Sequence, residues 1–434
     1  MVAALMLSVA ALPFSITVCH GAIIIVIISW IFEGQWQNKL SVIKHSLLLQ
    51  VIIALFFLQV LGLAFSDNLP LGLFALEKKI FFLLIPVAIG TTSLKLNRKE
   101  IKLVLITFII SCFVGTLLCV LHAWEETTLV MAGVAQFKPY LSTSSYHDLH
   151  AFESERWLMF SYRSLSQGIA IHPTFFSLFL AFSIIFLFHE LPHLKSQISR
   201  GAVLMLVLYF AVFIVFLASR IVILGLSVIF TFVLIRTLLN KQKLLAFMVV
   251  IISAVFAFLL FLNPVSRYRS LEEINLSTFE IQPGNNYKNA AQIRVSLWWL
   301  AFMSLHDSHP LVGTGTGDVH SAMVRTSNQY QITNIINSFD PHNQYLYTLL
   351  GNGYSGFILL VLCLALPLYF AWIQQEYLLL GFSFIFSLLC FTESALELQK
   401  GVVFYSLFSA LLFFQLNSFQ KISFNLRSLI HARD

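Results

Sequence analysis

The chain has 434 residues, of which 58% are hydrophobic, 11% are charged and 43 are Phe. A soluble domain carries about a quarter charged residues, so this sequence has too little polar surface to coat a water-soluble globule. The same composition excludes a disordered chain, a coiled coil and a disulfide scaffold. The net charge of +6 is what Lys and Arg in cytoplasmic loops give a membrane protein, and nucleic acid is not an expected partner.

Twelve apolar segments follow along the chain, at roughly 2–15, 17–33, 46–64, 77–92, 102–122, 171–189, 201–217, 221–238, 243–262, 354–373, 377–391 and 402–417. A spanning helix needs about 20 apolar residues, so the expected fold is all-α, a polytopic membrane protein of about 12 transmembrane helices. The first apolar stretch runs into the second without a small-residue cleavage site and reads as a retained helix. The expected divisions are helices 1–5 in residues 1–122, an outer loop at 123–170, helices 6–9 in 171–262, a large outer loop at 263–353, and helices 10–12 with an inner tail in 354–434. Cys19, Cys112, Cys119, Cys363 and Cys390 all sit in apolar runs with no CxxC pair, which reads as buried thiols.

Basic residues set the orientation. With the N-terminus inside, the short inner connections hold Lys39 and Lys44, then Lys95, Arg98, Lys99 and Lys102, then Lys195 and Arg200, then Arg236, Lys241 and Lys243. The tail adds Lys421, Arg427 and Arg433. Such enrichment marks the cytoplasmic side. Lys78 and Lys79, at the outer start of the fourth segment, run against the pattern.

The residues that could carry chemistry gather on the outer side. Arg220, in Ala218-Ser219-Arg220-Ile221, joins two apolar segments with almost no loop. It either snorkels or serves an anion. Arg294 lies on an expected amphipathic helix at 289–305 and carries the same two readings. A guanidinium is the side chain best shaped for bidentate contact with phosphate. His147-Asp148-Leu149-His150 and His306-Asp307-Ser308-His309 offer ligand types, but neither has His-x-x-x-His spacing, and they read as exposed loop polars. Gly313-Thr314-Gly315-Thr316-Gly317 lacks the Gly-Lys-Ser/Thr ending of a nucleotide loop and reads as turn glycines.

His342, in Asp340-Pro341-His342-Asn343-Gln344-Tyr345-Leu346, closes the large outer loop and is followed by Gly351, Gly353 and Gly356. A histidine there could accept a proton from a hydroxyl. An interfacial histidine beside packing glycines would need no function. Glu393, Glu397, Gln399 and Lys400 make a polar outer connection between the last two segments. A carboxylate there could orient an arginine or bind sugar hydroxyls, and a solvated turn is the alternative.

Taken in order, these features resemble the O-antigen ligase family, part of a superfamily of lipid-linked glycan ligases and polymerases. The resemblance rests on His342-Asn343-Gln344-Tyr345-Leu346 with Gly351 and Gly356, on Arg294 to Trp298 leading to His309-Pro310-Leu311-Val312-Gly313-Thr314-Gly315, on Ser219-Arg220, and on Glu393 through Gln399 and Gly401. It implies a multi-pass protein of the bacterial inner membrane with its site at the periplasmic face. It implies a glycan donor on undecaprenyl diphosphate, a hydroxyl acceptor on lipid A–core, and inverting transfer with no metal or other cofactor. Carried onto this chain, His342 would be the general base, and Arg220 and Arg294 would hold the diphosphate. Asn343 and Asp340 would orient the imidazole. Arg163, His172, Asn343, Glu393 and Gln399 are the candidate substrate contacts.

Two other readings stay open. A polymerase, or a ligase that glycosylates protein, would share the donor. A transporter would instead place ionisable residues at mid-membrane and break its helices symmetrically, whereas the notable polar residues here lie at one face.

Overall fold

The computed structural model describes residues 1–131, 158–267, 290–332 and 340–415, and every regular element among them is helical. In chain order they are α1 (Val2–Ala11), α2 (Ile16–Phe32), α3 (Trp36–His45), α4 (Leu47–Gly62), α5 (Leu69–Thr91), α6 (Arg98–Met131), α7 (Tyr162–Ser166), α8 (Pro173–Glu190), α9 (Gln197–Leu217), α10 (Arg220–Leu239), α11 (Lys243–Leu262), α12 (Pro264–Arg267), α13 (Ala290–Ser304), α14 (Val319–Gln329), α15 (Gln344–Gln374), α16 (Tyr377–Leu389) and α17 (Gln399–Ala410). Seven stretches among the described residues are long and apolar enough to cross a membrane: Leu47–Phe65, Arg98–Leu129, Pro173–His193, Gln197–Leu217, Arg220–Leu239, Leu245–Leu262 and Gln344–Gln374. The α2–α3 pair, bent by 110°, adds an eighth if it is one span, while α1 and α16 are apolar but shorter. The chain is thus an all-α, multi-pass membrane protein. Length and apolarity alone reach fewer spans than the expected count.

Two helices begin earlier than the apolar pattern implies. α5 starts at Leu69 rather than near 77, and α15 at Gln344 rather than near 354. Both added turns carry polar residues that the protein itself satisfies. Asn68 caps α5 by accepting from the Leu71 N–H at 3.2 Å, and Asn343 caps α15 by accepting from the Leu346 N–H at 3.1 Å. α6 runs on to Met131, inside the stretch expected as outer loop.

The core is built around α8, which is buried along nearly its whole length. A chain of rings fills its flank. Phe179 stacks on Phe404 at 4.7 Å between centroids, Phe182 meets Phe408 at 4.7 Å, and Phe108 meets Phe408 at 4.8 Å. In lipid there is no water to drive helices together, so close packing must hold them. Interlocked aromatic rings supply it with a directional preference.

α15 is broken at Gly353, where φ is 62° and ψ is −166°. Only glycine adopts that conformation readily, and a Cβ there would sit 2.4 Å from the Leu311 carbonyl carbon. The break strands backbone groups that hydrocarbon could not satisfy. Residues 310–315 satisfy them instead: Thr314 N–H donates to Leu350 O at 2.8 Å, Gly315 N–H to Gly351 O at 3.2 Å, and Tyr354 N–H to Pro310 O at 2.8 Å. The same strap reaches the end of α4, where Thr316 Oγ donates to Gln59 O at 2.7 Å. It also reaches the start of α5, where the Asp318 carboxylate accepts from the N–H groups of Asp67 and Asn68 at 2.6 and 3.1 Å. The glycine-threonine run is therefore a joint between three helices. Its amide groups are spent on protein acceptors, as the turn reading implied.

Candidate active site

The joint fixes the first turns of α15, and the candidate residues are arranged around them. α13 lies against this region through a small core of Leu297, Leu300, Ala301, Val319, Met323, Ile332 and Leu350. That packing sets Arg294, one turn before Leu297, on the side facing the α16–α17 connection. The connection is laced to α15 through Gln344. Its backbone N–H donates to Cys390 O at 2.8 Å, its Oε1 accepts from the Leu396 N–H at 2.7 Å, and its Nε2 donates to Glu397 Oε1 at 3.1 Å. Lys79 of α5 closes the lacing from below, with Nζ 2.6 Å from Glu397 Oε1 and both side chains buried.

On this frame Glu393 presents one oxygen to each of two partners. Arg294 Nη2 donates to Oε1 at 3.2 Å, and His342 Nδ1 lies 3.4 Å from Oε2. Glu393 is buried, whereas the His342 side chain is 38% exposed. Nε2 of His342 makes no hydrogen bond with a described residue. The His342 backbone is left-handed, with φ at 46°. Its N–H is held by Asp340 Oδ1 at 2.6 Å, and Ser394 Oγ donates to the same oxygen at 2.5 Å. Strain of this kind persists only where neighbours over-determine it. Here Asp340 hydrogen-bonds the backbone rather than the ring, and its charge adds to the rise in the His342 pKa.

The charges follow from the geometry. The adjoining Glu393 raises the His342 pKa above the usual histidine value, against the pull of burial. Burial pushes the Glu393 carboxyl up, but His342 and the Arg294 charge outweigh it and leave it below the usual glutamate value. His172, the N-cap of α8, is lowered to about 4, first by burial and then by the charges of Arg163, Arg294 and His342, with Glu393 opposing. It is neutral at pH 7. Arg163 of α7 stands 3.4 Å from His172 Nε2.

Arg163, His172, Arg294, His342 and Glu393, distant in sequence, therefore share one electrostatic environment. Arg220 heads α10. The neighbouring backbone is tied to that end of the bundle by Ser266, whose Oγ donates to Val215 O, and by Asn263, whose Nδ2 donates to Ser161 Oγ at 3.3 Å. Arg220 is not among the charges that act most on His172, His342 or Glu393, and two further candidates also stand apart from that cluster. The Asn343 side-chain oxygen is committed to the α15 cap. Gln399 opens α17, half-buried, and makes no hydrogen bond with another described residue. The pairing of Lys79 with Glu397 was not legible in the sequence, although a lysine on the wrong side of the charge pattern was its signal. Among the described residues no group of three His, Cys, Asp or Glu is arranged to hold a metal ion, and His147 to His150 lie outside them.

The arrangement can do two things: accept a proton at His342 Nε2 with Glu393 stabilising the imidazolium, and hold an anion on the remaining N–H groups of Arg294. No curated protein matches the chain. Residues 202–361, which run from α9 through Arg220, Arg294, the strap and His342 into α15, match the family model described as O-Antigen ligase.

Proposed function

We propose that this protein is a glycosyltransferase of the bacterial inner membrane, with its site at the periplasmic face. It moves a glycan from undecaprenyl diphosphate to an acceptor hydroxyl, that of lipid A–core. The acceptor O–H gives its proton to His342 Nε2. The freed oxygen bonds to the anomeric carbon, and the bond from that carbon to the diphosphate oxygen breaks, its electron pair leaving on the diphosphate. Attack from the face opposite the leaving group inverts the centre.

Charge develops on the departing diphosphate, and guanidiniums positioned in advance stabilise it without reorganisation. Arg294 and Arg220 take that role, while Glu393 balances the imidazolium. Arg163 and the neutral His172 line the approach to the sugar. The scheme draws its cations from the protein and needs neither nucleotide nor metal. The apolar helix faces hold the polyprenyl tail.

The observation that carries this reading is the single Glu393 carboxylate that pairs with both a histidine and an arginine beside the membrane. The test is to incubate the purified full-length protein with undecaprenyl-diphosphate-linked glycan and lipid A–core, then identify the product. Glycan on lipid A–core is the expected result. A lengthened lipid-linked glycan would identify a polymerase of the same superfamily, and glycan on added protein a protein-modifying ligase. An unchanged donor in every mixture would contradict glycosyl transfer altogether.

A further inference from the structure

At the end of the bundle away from His342, a cavity of about 550 Å3 opens where α8, α10 and α15 finish and α11 and α16 begin. This is the size of a small-molecule site, which runs to about 300–1,000 Å3. Its walls are apolar, with Phe188, Val228, Phe232 and Phe384 among them. Val228 and Phe232 are also exposed on the outer surface of the bundle, as is the neighbouring Trp372. In a multi-pass protein such side chains face acyl chains, so the apolar flank of the cavity borders lipid, while Thr237, Asn240, Gln242 and Gln375 line its polar end.

The polar end of the cavity is occupied by Arg236, which is exposed. Its guanidinium lies over the Tyr377 ring, with Cζ 3.5 Å from the centroid. Stacking engages the face of the guanidinium and leaves its in-plane N–H donors free. Those donors make no hydrogen bond with a described residue. Glu190, Glu376 and His193 stand nearby, all within electrostatic reach of His189 at the same end, and Lys102 occupies Glu190.

We propose that this cavity is a phospholipid site, in which one acyl chain fills the apolar pocket and the headgroup phosphate is bound by Arg236. A planar fork held flat on an aromatic ring, at the polar end of a slot that borders hydrocarbon, matches the two chemistries of a phospholipid in their natural order. The site is separate from the glycosyl-transfer reading and does not depend on it.

The test uses the full-length protein in nanodiscs containing a phosphatidylethanolamine with a photoactivatable diazirine in one acyl chain. After illumination, labelled peptides are mapped by mass spectrometry. Labelling is expected to concentrate on the end of α10 and the start of α16. Val228→Trp, at a lipid-facing position that tolerates a large apolar side chain, should remove that concentration while leaving thermal unfolding unchanged. Arg236→Ala should reduce it by about threefold to fivefold, the effect of losing one exposed charge contact. A diacylglycerol carrying the same chain should label weakly there, and inorganic phosphate in the buffer should not compete. Labelling spread evenly over all lipid-facing helices, or indifferent to Val228→Trp, would overturn the site. Labelling that is equal for diacylglycerol and unmoved by Arg236→Ala would overturn the phosphate contact.

Discussion

His342 Nδ1 stands 3.4 Å from Glu393 Oε2, and the carboxylate keeps the imidazole pKa above its usual value. The proposed base is the neutral ring, so the transfer rate should rise as pH climbs through that raised pKa. Glu393→Gln keeps an oxygen that can accept from the ring N–H but removes the charge, and the His342 pKa then falls. The acidic limb of the pH–rate profile should move to lower pH. The plateau should drop on the order of 10- to 100-fold, the scale for removing a partner that orients a functional histidine. An acidic limb that stays in place would mean that Glu393 does not act on the base.

Arg294→Lys keeps the positive charge but loses the fork. Lysine offers a compact ammonium on a flexible stem and cannot reproduce a bidentate grip on phosphate. Donor use should fall about 10-fold or more in kcat/KM, equivalent to about 1.4 kcal/mol of transition-state stabilisation. The measurement is initial rates over a series of lipid-linked donor concentrations, and equal kcat/KM for the two proteins would count against a diphosphate role.

Lys79 and Glu397 form a buried ion pair beneath the site, 2.6 Å apart. Removing one partner leaves an uncompensated charge out of water, which costs about 3–5 kcal/mol, whereas replacing both with apolar residues costs far less. Lys79→Met should therefore lower the thermal unfolding midpoint sharply, and Lys79→Met with Glu397→Met should recover much of the loss. A double variant at least as unstable as the two single losses added together would show that the pair is not coupled.

These relationships explain what the sequence could and could not reveal. Each expected apolar segment overlaps a helix, because hydrocarbon imposes a length and a composition that any reader can count. Helix α3, turned 110° from α2, lies outside every apolar segment. Its sequence is amphipathic, and its place depends on Lys39, whose ammonium lies 3.4 Å from Glu33 and over the rings of Trp30 and Trp36. The early start of α15 was hidden for a related reason. Thr348, Gly351, Asn352 and Gly353 read as loop, and it is the distant strap at 310–315 that completes the hydrogen bonds of this stretch, at Leu350 O, Gly351 O and the Tyr354 N–H. At the site, residue types and sidedness singled out His342, Arg294 and Glu393 individually. That one carboxylate serves both of the others could not be read from spacing, because it depends on how Gln344 and Lys79 hold the α16–α17 connection.

The central claim is that His342 takes the acceptor proton, and His342→Ala tests it most directly. The variant and the parent protein, purified to equal amounts and shown to unfold at the same temperature, are given lipid-linked glycan and lipid A–core, and transfer is followed with time. Transfer by the variant should fall by about 10²- to 10⁴-fold, the contribution of a positioned general base. Transfer at the parent rate would contradict the account.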